Sequence, residues 1–239
     1  MSTFLLLHGA WHGAWCWHKL IPLLEKAGHE VVAPDLPGLG NDKTPATNVS
    51  LETYTRFVTD LLDSIDSPVV LVGHSMSGAV ISRVAELRPA QVNCLVYLAA
   101  YLLPNGQSIL ETTREDTGSL VLPNLVYSRD RKTARVRDTV IREAFYADCS
   151  EEDCEFAGSR LVQQALAPLS APVKITGENW GRVPRYYIEC TQDRIVSIGC
   201  QRRMQARLSC RDVMSLDTSH SPFLSAPEQL LESLLACND

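Results

Sequence analysis

The chain has 239 residues, 45% of them hydrophobic and 21% charged, with a formal net charge of −6 at pH 7. That length and balance suit one globular α/β domain with a large core and room for an insertion. An acidic chain lacks the positive field that displaces counterions from a phosphate backbone, so nucleic acid is excluded as a partner.

Thr3 to Leu7 is a continuous apolar run that reads as a buried strand ending in a turn at His8-Gly9. The start has no basic segment, and its apolar run is too short for an export signal, so the expected location is the cytoplasm. No run is long enough to span a membrane. Trp17 to Ala27 spaces Leu20, Leu23, Leu24 and Ala27 as a helix and stops at Gly28. Glu30 to Ala33 is a second strand. Ser50 can cap a helix whose apolar face is Tyr54, Phe57, Val58, Leu61, Leu62 and Ile65. A third strand starts at Pro68 and feeds Gly73-His74-Ser75-Met76-Ser77-Gly78. A helix follows over Ala79 to Leu87, and Val92 to Ala100 is a fourth strand. Apolar runs without alternation mean strands covered on both faces, hence a parallel sheet.

The rhythm breaks over Tyr101 to Trp180. Two stretches there read as helical, Thr133 to Tyr146 and the segment after Ser150, whose hydroxyl can cap and whose Glu151, Glu152 and Asp153 suit a positive helix end. Such an insertion lies beyond the carboxyl ends of the strands and covers a site. Alternation then resumes: strand Arg185 to Thr191, helix Ile198 to Leu208, strand Asp212 to Leu216, helix Ala226 to Cys237. The expected organisation is a core of residues 1–101 and 181–239 with a cap of residues 102–180. Arg129-Asp130-Arg131-Lys132, with Arg135 and Arg137, is a local basic cluster, read as a solvated helix face. The cysteines have no CxxC or CxxxC spacing and read as buried free thiols, not zinc ligands, so no metal is implied.

Strand, sharp turn and helix with a hydroxyl at the apex is the shape of a nucleophile elbow around Ser75. Gly73 and Gly78 supply the room it needs. The G-x-S-x-G pattern is met except at its last position, Ser77, whose hydroxyl is expected to turn into the helix. A serine needs a base, and the base an orienting acid. Asp193 and His220 follow Ser75 in the chain order acid then base, and each lies just past the carboxyl end of a strand. Asp217 is the rival acid, only three residues from His220 in an awkward short loop. Glu189 lies inside a strand. His18 and His29 read as exposed, His8 and His74 as structural, and His12 as a pocket candidate. The oxyanion donors are the N–H groups of Met76, after the nucleophile, and Ala10, in the first loop. Trp11, Tyr101, Trp180 and Phe223 join His12 as candidate pocket walls. The chemistry needs no cofactor.

With these residues placed, the chain resembles the α/β-hydrolase superfamily, and most of all its compact branch of plant methylesterases (salicylate-binding type), hydroxynitrile lyases and related bacterial esterases. The marks are His8-Gly9-Ala10-Trp11-His12-Gly13-Ala14-Trp15, Lys19 with Pro22-Leu23-Leu24-Glu25, Ala27-Gly28-His29, Gly73-His74-Ser75-Met76-Ser77-Gly78, Cys149-Ser150-Glu151-Glu152-Asp153 and Cys190-Thr191-Gln192-Asp193. Together they cover nearly the whole chain. The resemblance implies an α/β-hydrolase fold: a six-stranded, mostly parallel sheet with helices on both faces, an inserted helical cap and no N-terminal hairpin. It also implies Ser75, Asp193 and His220 as a triad, with Ala10 and Met76 as oxyanion donors. The lyases carry a lysine directly after the catalytic histidine, where this chain has Ser221, and they lack the equivalents of Gly9 and His74. Ser221-Pro222-Phe223-Leu224 is more similar to bacterial members, which counts against salicylate or jasmonate esters. The leading expectation is a serine hydrolase that cleaves a small, fairly apolar carboxylic ester through an acyl-enzyme. A carbamate or amide hydrolase, a lyase, and a non-catalytic small-ligand-binding protein remain the alternatives. The expected partner is a small-molecule ester, and a homodimer is left open.

Overall fold

The computed structural model describes residues 1–237. In chain order the first part contains β1 (Thr3–Leu7), α1 (Leu20–Lys26), β2 (Glu30–Val32), α2 (Leu51–Leu62), β3 (Val69–His74), α3 (Ser77–Leu87) and β4 (Val92–Leu98). The insertion contains α4 (Ile109–Arg114), β5 (Leu125–Tyr127), β6 (Thr133–Val136), α5 (Ile141–Phe145), α6 (Glu151–Gly158), β7 (Gln164–Ala165) and α7 (Ala167–Ser170). The last part contains β8 (Arg185–Cys190), α8 (Ile198–Arg207), β9 (Asp212–Leu216), α9 (Pro222–Ser225) and α10 (Pro227–Ala236).

The main sheet has six strands in the order β2-β1-β3-β4-β8-β9. Every neighbouring pair is parallel, so the sheet is more uniform than the mostly parallel one expected. β1 and β3 are buried along their whole length, which is why their sequences show no alternation. The chain moves outward from β1 to β2 and then returns past β1 to β3. Right-handed crossovers therefore place α1 on one face, where it packs on α10, and α2 on the other, where it packs on α3. That reversal opens a crevice at the carboxyl ends of β1 and β3, where an open α/β sheet binds ligands.

Local signals act as their chemistry requires. The Ser50 hydroxyl accepts from the Thr53 N–H at 3.1 Å, and the Ser150 hydroxyl from the Asp153 N–H at 3.1 Å. Each such cap contributes about 1 kcal/mol. The insertion departs from a purely helical cap, because β5, β6 and β7 form a three-stranded antiparallel sheet. Thr133–Tyr146 is not one helix. Its start is strand β6, held between partners on both sides, and only Ile141–Phe145 is α-helical. The cluster Arg129–Lys132 accordingly sits in the turn between β5 and β6 and not on a helix face.

Candidate active site

β3 carries the chain to Ser75, which has a φ of +55°. Left-handed backbone at a non-glycine residue costs on the order of 1–3 kcal/mol and needs support on all sides. Here Ser75 donates its N–H to the Leu98 carbonyl at 3.2 Å and accepts from the Tyr101 N–H at 3.1 Å. The two glycines around it are there for space. A Cβ at Gly78 would collide with the Tyr101 backbone, and one at Gly9 would lie 2.9 Å from both the Ser75 Cβ and the His74 Nδ1. Ser77 does not turn its hydroxyl into the helix. It donates to the His8 carbonyl at 2.5 Å and ties the elbow to the first loop.

His220 Nδ1 donates to Asp193 Oδ2 at 2.7 Å, with both side chains buried. The carboxylate is itself fixed: Oδ1 accepts the N–H groups of Ile195 at 2.7 Å and Val196 at 3.0 Å. With Nδ1 protonated toward Asp193, Nε2 keeps its lone pair. It is buried and has no hydrogen-bond partner among the described residues. The rival acids are engaged elsewhere. Asp217 is exposed and accepts from the Thr191 hydroxyl at 2.7 Å and Gln192 Nε2 at 2.9 Å. Glu189 is buried between Arg202 Nη2 and the Ser215 hydroxyl, each at 2.8 Å.

Three further histidines pack around this pair as neutral rings. His74 Nε2 donates to the His220 carbonyl at 2.9 Å, and the two ring centroids are 4.5 Å apart. Burial pushes the His74 pKa well below its ordinary value, helped by repulsion from His220 and His12. His8 donates from Nδ1 to the Gly9 carbonyl at 2.9 Å and accepts the Leu36 N–H at Nε2 at 3.1 Å, in the structural role its position suggests. Burial lowers its pKa to about 4. His12 donates to the Ala10 carbonyl at 2.8 Å and accepts the Tyr146 hydroxyl at 2.7 Å. Burial lowers its pKa to about 3.

Ser75, Ala10, Trp11, Met76 and Tyr101 line one cavity of about 180 Å³. Among the described residues the backbone N–H groups of Ala10 and Met76 have no acceptor. The remaining wall comes mainly from the insertion, including Ile109, Val121, Leu122, Leu125 and Leu169, and among the described residues no charged side chain contributes. Three expected wall residues lie elsewhere. His12 sits behind the first loop, bonded as above. Phe223 is fully buried against Trp17 and His74, each ring 5.0 Å away. Trp180 donates to the Tyr97 hydroxyl at 3.0 Å and stacks under Arg185, near the start of β8 and so at the opposite end of the sheet.

The insertion also clasps the two loops that bear Asp193 and His220. Asp148 accepts the Ser219 N–H at 2.9 Å and the Ser219 hydroxyl, immediately before His220. Asp116 accepts the Ser197 N–H at 2.9 Å and its hydroxyl at 2.5 Å, while the Ser119 hydroxyl donates to the Ile195 carbonyl at 2.8 Å. Lys19 and Asp153 pair at 2.7 Å and join α6 to the core. Asp116 and Asp148 carried no sequence signal of their own. Among the described residues no group of three or more His, Cys, Asp or Glu side chains could hold a metal, and no helix is long and apolar enough to cross a membrane.

This sheet and elbow are those of an α/β hydrolase. Residues 4–233 match the sequence profile of the alpha/beta hydrolase family, and the chain belongs to that family. It is 33% identical over 98% of its length to putative methylesterase 11, chloroplastic, of Arabidopsis thaliana. The chain spans 63% of the length of that relative and 55% of putative methylesterase 13, chloroplastic, of the same plant. Salicylic acid-binding protein 2 of Nicotiana tabacum is 32% identical, covering 97% of this chain and 95% of its own. The crystal structure of a pyrethroid hydrolase from Sphingobium faniae JZ-2 superposes with a TM-score of 0.87 at 32% identity, covering 98% of this chain and 96% of that one.

Proposed function

We propose that this chain is a carboxylesterase-type serine hydrolase acting on a small, largely apolar carboxylic ester. Ser75 Oγ attacks the ester carbonyl as its proton passes to His220 Nε2. Asp193 holds the imidazole in the required tautomer and stabilises the imidazolium that forms. The N–H groups of Ala10 and Met76 receive the oxyanion, already unpaired before the substrate arrives, so no internal bond must break in the transition state. His220 returns the proton to the leaving alkoxide, and water, activated by the same nitrogen, releases the acid from Ser75.

The observation that carries this reading is Ser75 at φ +55° on the wall of an uncharged cavity, with the free N–H groups of Ala10 and Met76 on the same wall. The relatives named methylesterase and pyrethroid hydrolase agree with it. Ser221, which directly follows His220, brings no ammonium to hold cyanide, and this favours hydrolysis over cyanohydrin cleavage. The test is Ser75→Ala assayed on short p-nitrophenyl esters. Loss of nucleophile should lower kcat by on the order of 10³-fold or more. Activity within about tenfold of the parent would remove Ser75 as nucleophile.

A further inference from the structure

Among the described residues the cavity against Ser75 has no charged side chain in its wall, but cations stand close by. A second cavity of about 290 Å³ adjoins it, sharing Leu166 and Ser170 as walls. Arg131 and Lys132 line this second space, and among the described residues no carboxylate does. Neither cation forms an ion pair among the described residues.

Both side chains are exposed, and the backbone that carries them is held in place. The Lys132 carbonyl accepts the Leu166 N–H at 2.9 Å, which fixes Lys132 beside the shared wall. Arg131, at the tip of the β5–β6 turn with a φ of +57°, donates its N–H to the Ser128 carbonyl at 3.0 Å. Its guanidinium lies 5.7 Å from the centroid of the Tyr127 ring, and Tyr127 itself lines the apolar cavity. The one acid of the turn, Asp130, accepts the Ser128 hydroxyl at 2.7 Å and the Lys132 N–H at 3.1 Å. Beside the apolar cavity at Ser75, across the shared wall of Leu166 and Ser170, there thus stand two exposed cations, in a chain whose net charge is −6.

Resting on the ester-hydrolase reading, we propose that the substrate carries a carboxylate remote from its ester carbonyl, with its apolar body beside Ser75 and the carboxylate held by Arg131 and Lys132. A guanidinium and an ammonium at a partly walled rim attract a carboxylate with little selectivity for the chain that bears it. Chain length would therefore set the fit, because the carboxylate has to reach past Leu166.

The experiment compares kcat/KM in two arms, each over increasing chain length. One arm sets p-nitrophenyl monoesters of dicarboxylic acids against p-nitrophenyl alkanoates. The other sets ω-carboxyalkyl acetates against alkyl acetates, so the two arms distinguish a carboxylate on the acyl side from one on the alcohol side. Two exposed pairs correspond to an advantage of roughly two- to thirtyfold for the charged ester at its best length. That advantage should appear in one arm, fade at about 0.5 M salt, and vanish in Arg131→Gln/Lys132→Gln, with neutral esters turned over as by the parent. No advantage in either arm, or an advantage the double variant keeps, overturns the proposal while leaving the esterase standing. No turnover of any ester by the parent removes the esterase reading, and this inference with it.

Discussion

Asp148 belongs to the insertion, yet its carboxylate receives both the N–H and the hydroxyl of Ser219, the residue before His220. Ser219 is fully buried, so Asp148→Ala leaves two donors without an acceptor. A buried donor stripped of its partner costs about 1–3 kcal/mol. Asp148 is itself solvent-exposed, so water can replace part of what is lost. A total of about 2–3 kcal/mol follows, which for a chain of this size lowers Tm by roughly 4–12 °C. The effect on chemistry should be larger than on binding. Asp148 does not line the cavity, but a small displacement of a catalytic imidazole can lower the rate by about 10²-fold. The assay is kcat and KM on one ester, with thermal melts of the same preparations. Asp148→Asn, which keeps one oxygen for Ser219, should fall between parent and alanine variant in both measurements. A kcat within about twofold of the parent in Asp148→Ala, at a temperature where the variant is folded, would refute the claim that this bond positions His220.

Gly9→Ala would place a Cβ 2.9 Å from Ser75 Cβ and His74 Nδ1, so it should lower kcat by about 10²-fold or more with little change in secondary structure by circular dichroism. Asp193→Asn should lower kcat on the order of 10³–10⁴-fold by giving His220 the wrong tautomer, whereas Asp217→Asn should stay within about twofold; equal losses in the two variants would reopen the identity of the acid. His8 and His12 are buried as neutral rings with pKa values near 4 and 3 against 6.5 when solvated. The unfolded chain therefore binds more protons, and stability should be full above about pH 6.5 and decline as pH falls toward 4, by roughly 3 kcal/mol for His8 alone. Urea midpoints that stay flat from about pH 7 to 5 would contradict that burial.

The core was legible because its strands are buried on both faces. Runs such as Phe4-Leu5-Leu6-Leu7 and Val69-Val70-Leu71-Val72 have no other economical reading, and their boundaries agree with the structure to within two residues. Asp193 and His220 could be paired because chain order and strand ends constrain where an acid and a base can stand. The insertion resisted for a physical reason. Thr133-Ala134-Arg135-Val136 is a strand only because β5 and β7 lie on either side of it, and pairing of that kind leaves no local period. Residue type also failed to separate cavity wall from supporting layer. Phe223, Trp180 and His12 have the right chemistry for a pocket, but they pack behind it or at the other end of the sheet. Leu122 and Leu125, which do line the cavity, sat in a stretch without periodicity. Ser77 was a departure from a motif whose compensation, the bond to the His8 carbonyl, joins residues distant in sequence.

Because the insertion is fastened at Asp116 and Ser119 beside the acid loop, and at Asp148 beside the base loop, its length divides by task. The fastening positions stand outside the cavity, and the lining positions Val121, Leu122, Leu125, Leu166 and Leu169 stand between or after them. Selectivity can therefore drift at the lining positions without disturbing the alignment of Asp193 and His220. Exchanging the whole segment for one that lacks these three side chains would release both loops at once. A library aimed at new substrates should vary residues 121–127 and 166–170 and leave the three fastening side chains as they are.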